Sequence, residues 1–528
     1  MDFTQAYDMV KRTDLWAHLT KLRLPATLLN SVKSIYDQDR YILIDGPKET
    51  QAVFPTVGVK QGCPLSPLLF SLFINDFHFE IGGDMGIKLS NNQIISHMFY
   101  ADDLCLFTNN RDHMSMMLSK LEAYSTRKGL LINASKSCVL ALHGDQSLPA
   151  PFKYGESDLE FVQEFKYLGM KFDRVGSMNH ADAQMSRAFC GAIHNARDLA
   201  HKHGASKRLD LALLLYRVYA VPSALYGSQI WSTPFLHMDG IFNSLVQKRH
   251  LCYLRNLAHV RQGTPNWALL KEFGQKPFQY YWWRGIIKFW NNSVSHPENS
   301  LFYKTLKADV ELATRFHNRD CWSSQVINAI KSFPTTSNFN HGTLLQKFKN
   351  LQPIDFACIE DGIMTAYKKV WSDLHEINGY RFDDAPHRKL LTYAKCYTNP
   401  DEVFTHCPNY LKGPYNTAIS MARFRLGSHF LGVETDRWAP QHIAWNDRAC
   451  HRCDTYSDDV KVDDEHHLIF DCEHFHNVRN PVAHITDSID SVHDFFTSED
   501  YESVPPFIAA TMSLLDDCWK QSQATIPG

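Results

Sequence analysis

The sequence predicts an α+β protein in which a strand-rich first part is followed by helices and a small metal-binding module. β-Forming residues fill positions 94–107 on both sides of Asp102-Asp103, which predicts two short strands joined at this acidic pair. From about Asn179 the apolar residues recur with helical spacing. Near the C-terminus, cysteines and one histidine follow the pattern Cys450-x2-Cys453-x13-His467-x4-Cys472, which suits a metal ion.

The acidic pair is costly unless something neutralises it. Two adjacent carboxylates with little solvation repel each other and raise one another's pKa. A divalent cation removes that penalty, and Mg²⁺ prefers carboxylate oxygens. The alternative is an exposed hairpin turn with ordinary solvated aspartates. Asp102 and Asp103 alone do not decide between a metal site and such a turn.

Four further segments accompany FYADD at residues 99–103 in a fixed order. They are DFTQAYD at 2–8, GVKQGCPLSPLLF at 58–70, GLLINASKS at 129–137 and FKYLG at 165–169. Together the five segments resemble the reverse transcriptase of non-LTR (LINE-type) retrotransposons. The resemblance implies a right-hand polymerase palm that carries out RNA-directed DNA synthesis during target-primed insertion. An intron-type or telomere-type reverse transcriptase is a rival, which the LINE-like stretch at 225–231 and the C-terminal cysteine–histidine knuckle disfavour.

The resemblance also implies roles for individual residues. It assigns two catalytic Mg²⁺ ions to Asp2, Asp102 and Asp103, because paired metal ions stabilise both the attacking and the leaving oxygen of nucleotidyl transfer. It places Lys136 near the leaving pyrophosphate, although the residue alone would be an ordinary surface lysine. Asp8 lies outside the matched metal position, and we expect it to favour the start of a helix.

The nucleotide and the primer have their own matched positions. Tyr7 matches the ring that lies under the sugar and rejects a 2′-hydroxyl, and the alternative is a core tyrosine. Gln61 and Gly62 match the nucleotide-binding turn, where glycine permits close backbone approach. Pro64 and Pro67 stiffen the entry to a helix expected near Leu68. The hairpin that grips the primer end is assigned to Tyr167, Leu168 and Gly169, although its aromatic content also suits a plain amphipathic strand.

The domain organisation follows from these matches. We expect an incomplete palm without fingers at 1–175, a basic helical thumb at 176–262, a helical connecting region at 263–440, a zinc knuckle at 441–480 and a tail at 481–528 with an amphipathic piece at 504–519. We expect Asp2 to lie on a fraying terminus, which would make this chain a weak polymerase or an inactive one. The alternative function is a catalytically inactive, truncated remnant that only binds nucleic acid.

The thumb prediction depends on a local charge surplus. Residues 186–261 contain ten Lys and Arg against three acids, whereas the whole chain has a formal net charge of −3. A basic helical segment suits phosphate contacts along a duplex, and the alternative is a solvated helix face. The aromatic residues of 225–231 and 278–283 are expected in the core, with base stacking a minority possibility for the second group. A basic stretch at 421–427 leaves nucleic-acid contact and a structural role open.

The predicted zinc ligands are Cys450, Cys453, His467 and Cys472. His466 is the competing ligand, and the resemblance favours His467, because His467 gives the four-residue gap to Cys472 that the LINE-type family has. Four N and S ligands leave no open position, so the Zn²⁺ would be structural. In nucleic-acid enzymes such knuckles often bind RNA or DNA.

Composition limits the remaining possibilities. The chain has 528 residues, 44% hydrophobic and 21% charged, as in globular proteins of two to four domains. Thirteen scattered cysteines without a signal peptide indicate a reducing compartment, nuclear or cytoplasmic. The expected partners are an RNA template, a DNA primer or target and a dNTP, and no apolar run indicates a membrane.

Overall fold

The computed structural model describes residues 1–42, 44–90, 92–142, 150–240, 242–315, 321–334, 340–373, 393, 408–436, 443–453, 461–497 and 503–524. Parts of the predicted connecting region, zinc knuckle and tail therefore lie outside the described residues. The chain divides into two compact units. The first comprises Met1–Ser177 and Glu298–Leu312, and the second comprises Met178–Pro297 and Ala313–Gly528.

The strands of the first unit are short and mostly antiparallel. In chain order they are β1 (Phe3–Thr4), β2 (Ile44–Asp45), β3 (Lys48–Glu49), β4 (Ile87–Lys88), β5 (Ile94–Ile95), β6 (His97–Tyr100), β7 (Asp103–Leu106), β8 (Leu131–Ile132), β9 (Cys138–Val139), β10 (Phe152–Tyr154), β11 (Ser157–Phe161), β12 (Glu164–Tyr167) and β13 (Met170–Asp173). The pairs are β1–β8, β2–β3, β4–β5, β6–β7, β10–β11 and β12–β13, with β9 and β11 parallel.

Helices cover these strands and supply most of the apolar core of the first unit. They are α1 (Arg12–Lys21), α2 (Ala26–Asp37), α3 (Ser66–Ile74), α4 (Phe77–Ile81) and α5 (Arg111–Lys128). The α5 helix has signals at both ends: the Asn110 side chain accepts a hydrogen bond from the His113 N–H, and Gly129 ends the helix with a φ of +68°. The predicted helix near Leu68 begins at Ser66, with Pro67 in its first turn.

The start of the chain is held inside the first unit. Met1 exchanges two backbone hydrogen bonds with Leu104 of β7, at 2.7 and 3.2 Å. The Asp2 N–H donates to Ser137 Oγ at 3.0 Å, and the Asp2 carbonyl accepts from the Asn133 N–H at 2.8 Å. Phe3 then pairs with Ile132. The expectation that Asp2 frays is therefore wrong, because the segment is bonded to β7 on one side and to residues 131–137 on the other.

The later helices belong mainly to the second unit, and the first twelve residues of α12 belong to the first. They are α6 (Asn179–Lys202), α7 (Leu209–Leu215), α8 (Ser228–Trp231), α9 (Leu245–Leu257), α10 (Asn266–Glu272), α11 (Phe278–Ser295), α12 (Leu301–Thr314), α13 (Trp322–Lys331), α14 (His341–Lys349), α15 (Phe356–Asp373), α16 (Tyr415–Arg425), α17 (Gly432–Thr435), α18 (His476–Arg479), α19 (Ala483–Thr486), α20 (Val492–Thr497) and α21 (Val504–Ala524). The amphipathic piece at 504–519 is thus helical.

Aromatic side chains fill the core of the second unit. Trp282 and Trp283 of α11 are fully buried, as is Trp231 of α8. The base-stacking possibility for residues 278–283 is therefore wrong for these tryptophans, and the core prediction is confirmed. Tyr226 differs from the expectation: the residue is 55% exposed, and its backbone carbonyl accepts a hydrogen bond from the Trp231 indole N–H.

The two arginines of the basic stretch at 421–427 lie on α16, and both contact other parts of the fold. Arg425 is buried and donates to both carboxylate oxygens of Glu272, at 2.6 and 3.2 Å. Arg423 forms a two-pronged contact with Asp516 of α21 at 3.2 and 3.3 Å. Both arginines therefore bind other parts of the fold, which resolves the open alternative in favour of a structural role.

The length and hydropathy of the helices bear on whether any of them could span a membrane. Within the part of the chain that the structure covers, no helix combines the length and the apolar character required to cross a bilayer.

Candidate active site and metal centre

The predicted acidic hairpin forms from β6 and β7. Phe99 lies opposite Leu104, and Tyr100 lies opposite Asp103, so Ala101 and Asp102 make a two-residue turn. Leu104 is buried and Phe99 contacts Phe77 at a ring distance of 5.4 Å, which fixes one face of the hairpin on the core. Ala101 has a φ of +53°, a backbone conformation that costs energy for any residue except glycine. The turn thus presents both aspartates at a strained hairpin tip.

The three predicted metal ligands lie in one electrostatic neighbourhood. Burial raises the pKa of Asp103, and the charges of Asp102 and Asp2 raise it further. Asp2 directly precedes β1, whereas Asp102 and Asp103 belong to the β6–β7 hairpin. The structure therefore brings together carboxylates that are 100 residues apart in sequence. Repulsion among them disfavours the fully charged state unless a cation is present.

The predicted nucleotide residues line a single cavity of about 410 Å³. Tyr7, Gln61 and Gly62 all border it, together with Lys60, Cys63, Pro64, Ser66 and Pro67. The Tyr7 ring stacks on Phe70 of α3, with 5.0 Å between ring centroids and 24° between planes. Burial and the charge of Asp102 raise the pKa of the Tyr7 hydroxyl, so this ring connects the cavity with the carboxylates.

Backbone hydrogen bonds fix the segment around Tyr7 to the segment 58–70, and both segments line the cavity. The Val59 N–H donates to the Tyr7 carbonyl and the Gly58 N–H donates to the Val10 carbonyl, both at 2.8 Å. Gly58 has a φ of +84°, and a Cβ there would lie 3.1 Å from the carbonyl oxygen of Asp8. Only glycine therefore permits this close approach.

Asp8 plays a part that differs from the expected one. Its two carboxylate oxygens receive the Gln61 Nε2 amide at 2.9 and 3.0 Å. The nearest helix, α1, begins at Arg12, so Asp8 does not favour a helix start. The Asp8 carboxylate instead orients the Gln61 amide at the cavity edge. Because Asp8 accepts the amide N–H groups, the Gln61 Oε1 oxygen points away from Asp8 and is available as an acceptor.

The predicted primer-grip hairpin lies beside the acidic hairpin. Tyr167 pairs with Met170, and the two-residue turn between them has φ values of +46° at Leu168 and +81° at Gly169, typical of a type I′ turn. Burial raises the pKa of Tyr167, a hydrogen bond with the Cys105 thiol raises it further, and the charge of Asp103 adds to both. The base of this turn is therefore adjacent to β7.

Among the predicted catalytic residues, Lys136 has the most exposed side chain. It ends a short 3₁₀ turn that Asn133 caps, and its side chain is exposed. The following residue, Ser137, accepts the hydrogen bond from the Asp2 N–H. The Lys136 backbone is thus close to Asp2, while its ammonium group extends into solvent.

A known protein family matches the part of the chain that contains the three aspartates and the nucleotide cavity. The family described as "Reverse transcriptase (RNA-dependent DNA polymerase)" matches residues 1–172. These residues are a reverse transcriptase domain. The palm fold implied by the resemblance is thereby confirmed, and strands β1–β13 with helices α1–α5 are its elements.

Similar proteins belong to non-LTR retrotransposons. The chain is 28% identical over 185 residues to the Pol polyprotein of the R2DM element of Drosophila melanogaster, covering 33% of this chain and 17% of that protein. It is 26% identical over 239 residues to an R2 polyprotein of Popillia japonica, covering 43% and 32%. It is 23% identical over 238 residues to the RNA-directed DNA polymerase of the jockey element of Drosophila funebris, covering 44% and 25%. The matches thus span at most about a third of these relatives.

A second site lies outside the reverse transcriptase domain, in the second unit. One ligand atom each from Cys450, Cys453, His467 and Cys472 lies within 4.8 Å of all the others. The Cys453 Sγ is 3.6 Å from Cys472 Sγ and 3.3 Å from His467 Nε2, and Cys450 Sγ is 4.0 Å from Cys472 Sγ. Tetrahedral Zn²⁺ with Zn–S bonds of about 2.3 Å requires S···S edges of about 3.8 Å. The cluster therefore fits that ion.

Local structure explains why His467, and not His466, joins the cluster. Residues His467–Asp471 form one π-helical turn, which places Cys472 beside His467 and closes with the Cys472 N–H donating to the His467 carbonyl at 2.7 Å. His466 points elsewhere and contacts the Asp490 carbonyl at 3.2 Å. The Asp464 carboxylate accepts the His467 N–H at 2.8 Å and fixes the start of the turn.

Lys60 and Ser66 also line the cavity, and the sequence predicted no role for either of them. Both lie inside the matched segment 58–70, which is the signal that could have identified them. Ser66 Oγ donates to the Lys60 carbonyl, which ties the start of α3 to the cavity loop.

Proposed function

We propose that this chain is the RNA-directed DNA polymerase part of a non-LTR retrotransposon protein that acts in target-primed insertion. The observation that carries the proposal is the junction at Tyr7. This residue borders the nucleotide-sized cavity and is also electrostatically coupled to Asp102. A nucleotide in the cavity would therefore lie next to the carboxylates, within a reverse transcriptase domain.

The carboxylates Asp2, Asp102 and Asp103 are proposed to hold two Mg²⁺ ions. Hard oxygen donors on or directly beside strands, in a half-buried cluster of mutually repelling charges, suit this cation. When bound, the ions supply charge stabilisation for the attacking and leaving oxygens of nucleotidyl transfer. The backbone bonds of Asp2 to Ser137 and Asn133 hold its side of the site in place.

Nucleotide selection is proposed to depend on the Tyr7 ring. Tyr7 is stacked on Phe70 and anchored through its carbonyl, so its ring cannot move away from a bulkier sugar. A 2′-hydroxyl would therefore collide with it, which favours dNTP over ribonucleotides. The Gln61 amide, oriented by Asp8, and the open backbone at Gly62 would contact the sugar and base side of the nucleotide.

Primer positioning and the leaving group involve the remaining predicted residues. The turn at Tyr167, Leu168 and Gly169 is proposed to hold the primer end beside Asp103. The primer 3′-oxygen then forms the new P–O bond while the bond to pyrophosphate breaks. Lys136, with its exposed ammonium group, is proposed to move towards the pyrophosphate and neutralise its charge.

The second unit is proposed to bind the template–primer duplex. Of the ten Lys and Arg in residues 186–261, seven are exposed and available to phosphates: Arg187, Arg197, Lys202, Lys207, Arg217, Lys248 and Arg249. We assign α6–α9 to a thumb on this basis. The Cys/His cluster is proposed to be a structural zinc knuckle, which requires reduced thiolates and hence an intracellular reducing compartment.

Primer extension tests the proposal. The chain should extend a DNA primer on an RNA template with dNTP and Mg²⁺, and Asp102→Asn should abolish synthesis while leaving the fold intact by circular dichroism. Asp112→Asn, an exposed carboxylate on α5, serves as the matched control and should retain synthesis. Tight RNA binding without any synthesis by the wild-type chain would contradict the proposal and favour the nucleic-acid-binding remnant.

A further inference from the structure

We propose that Lys60 is a triphosphate-binding residue of the nucleotide cavity, a role that rests on the proposed polymerase function. Among the residues that line the cavity, Lys60 carries the only charged side chain. A nucleoside triphosphate brings several negative charges into this space. A lysine ammonium is a common protein ligand for phosphate oxygens.

The buried carboxylate of Asp39 holds the ammonium group of Lys60 in position through an ion pair. Its Nζ lies 3.3 Å from Oδ1 of Asp39, and the Asp39 side chain is only 7% exposed. The other oxygen of Asp39 is already bound by Arg12 Nη2 at 3.0 Å. Two cations therefore share one carboxylate, and the group as a whole keeps one positive charge at the cavity edge.

Arg12 makes Asp39 independent of Lys60. Besides Asp39, Arg12 donates to the carbonyls of Gly58, Pro55 and Tyr36 at 2.9, 2.8 and 3.2 Å. This anchored arginine already balances the charge of the buried carboxylate through Oδ2. Lys60 is 29% exposed and pairs with the other oxygen, Oδ1, at 3.3 Å. Because one cation is enough to balance the charge of Asp39, the second positive charge is available to a phosphate group.

The backbone of Lys60 is fixed on both sides. Val59 is bonded to Tyr7, and the Lys60 carbonyl accepts from Ser66 Oγ and from the Cys63 N–H. The Lys60 side chain therefore starts from a rigid point, and only its flexible stem moves. Because Val59 is bonded to Tyr7, the backbone of Lys60 stays at a fixed place relative to Tyr7, within reach of a triphosphate whose sugar lies on the Tyr7 ring.

Nucleotide binding and primer extension by Lys60→Ala test this inference. In extension assays, KM for dNTP should rise about tenfold or more, the loss expected for one charge-assisted contact, while kcat changes little. Lys60→Arg should recover most of the loss because it keeps the charge. Lys48→Ala, an exposed lysine of β3, is the matched control and should behave as wild type.

Two further measurements separate the possible failures. Titration of dTTP in Ca²⁺, without synthesis, reports nucleotide binding even if the chain does not polymerise. Weaker dTTP binding by Lys60→Ala would support the inference even if primer extension failed. Equal dTTP binding by Lys60→Ala and wild type, or no dTTP binding by wild type, would overturn it. Loss of template–primer affinity with unchanged dTTP binding would also overturn it and assign Lys60 to a template phosphate.

Discussion

Replacing Arg425 by alanine should destabilise the second unit strongly without weakening nucleic-acid binding by the folded protein. The Arg425 side chain is 4% exposed and its partner Glu272 is fully buried. Glu272 also accepts the Tyr393 and Tyr410 hydroxyls, so the substitution leaves a buried carboxylate with two neutral donors and no counter-charge. Breaking a buried ion pair in this way costs about 3–5 kcal/mol of unfolding free energy.

Arg423→Ala is the matched control on the same helix, two residues earlier. Its partner Asp516 is 27% exposed and Arg423 itself is 22% exposed, so the pair is partly solvated. Such pairs contribute about 0–1 kcal/mol. Both variants remove one positive charge from α16, but only Arg425 is buried, and it also donates to the Phe496 carbonyl at 2.9 Å. Any difference in unfolding free energy therefore reports the buried contacts of Arg425.

Urea titration followed by tryptophan fluorescence measures the unfolding free energies, since Trp282 and Trp283 are buried in the same unit. A fluorescently labelled RNA–DNA duplex measures binding at low urea. The reasoning would be refuted if the two variants lost similar stability. It would also be refuted if Arg425→Ala kept full stability and bound the duplex much more weakly, because Arg425 would then be a nucleic-acid contact.

Three further predictions concern the metal site, pH and nucleotide selection. Cys472→Ser should lower bound zinc from about one ion per chain to nearly none by elemental analysis, whereas Cys252→Ser should not, and equal zinc in both would refute the cluster. Burial lowers the pKa of His250 to about 3. The unfolded state therefore binds more protons as pH falls below about 6.5, and the stability that neutral His250 contributes above that pH should be lost towards pH 3. In urea titrations a His250→Phe variant should lose less stability over the same pH range. Tyr7→Ala should increase ribonucleotide incorporation at least several-fold in primer extension while Tyr7→Phe should not, and unchanged discrimination would exclude the ring as the selector.

The sequence by itself determined the reverse transcriptase domain and the local elements that carry its motifs. Alternating β-formers around Asp102-Asp103 specify a hairpin, and FKYLG specifies a second one, because strand period and turn position are local properties. The spacing of Cys450, Cys453, His467 and Cys472 likewise specifies a cluster, since one turn brings His467 next to Cys472.

Only the tertiary structure decided what depends on distant partners. Asp2 is held in place because Asn133 and Ser137 bond it and Leu104 bonds its neighbour Met1, and no local sequence pattern predicts those contacts. Asp8 resembles a helix-start residue in sequence, yet Gln61 reaches it from 53 positions away. Arg425 resembles a surface base, but burial beside Glu272 makes it a structural ion. Burial and long-range pairing, which set the electrostatics of each side chain, arise only when the elements pack.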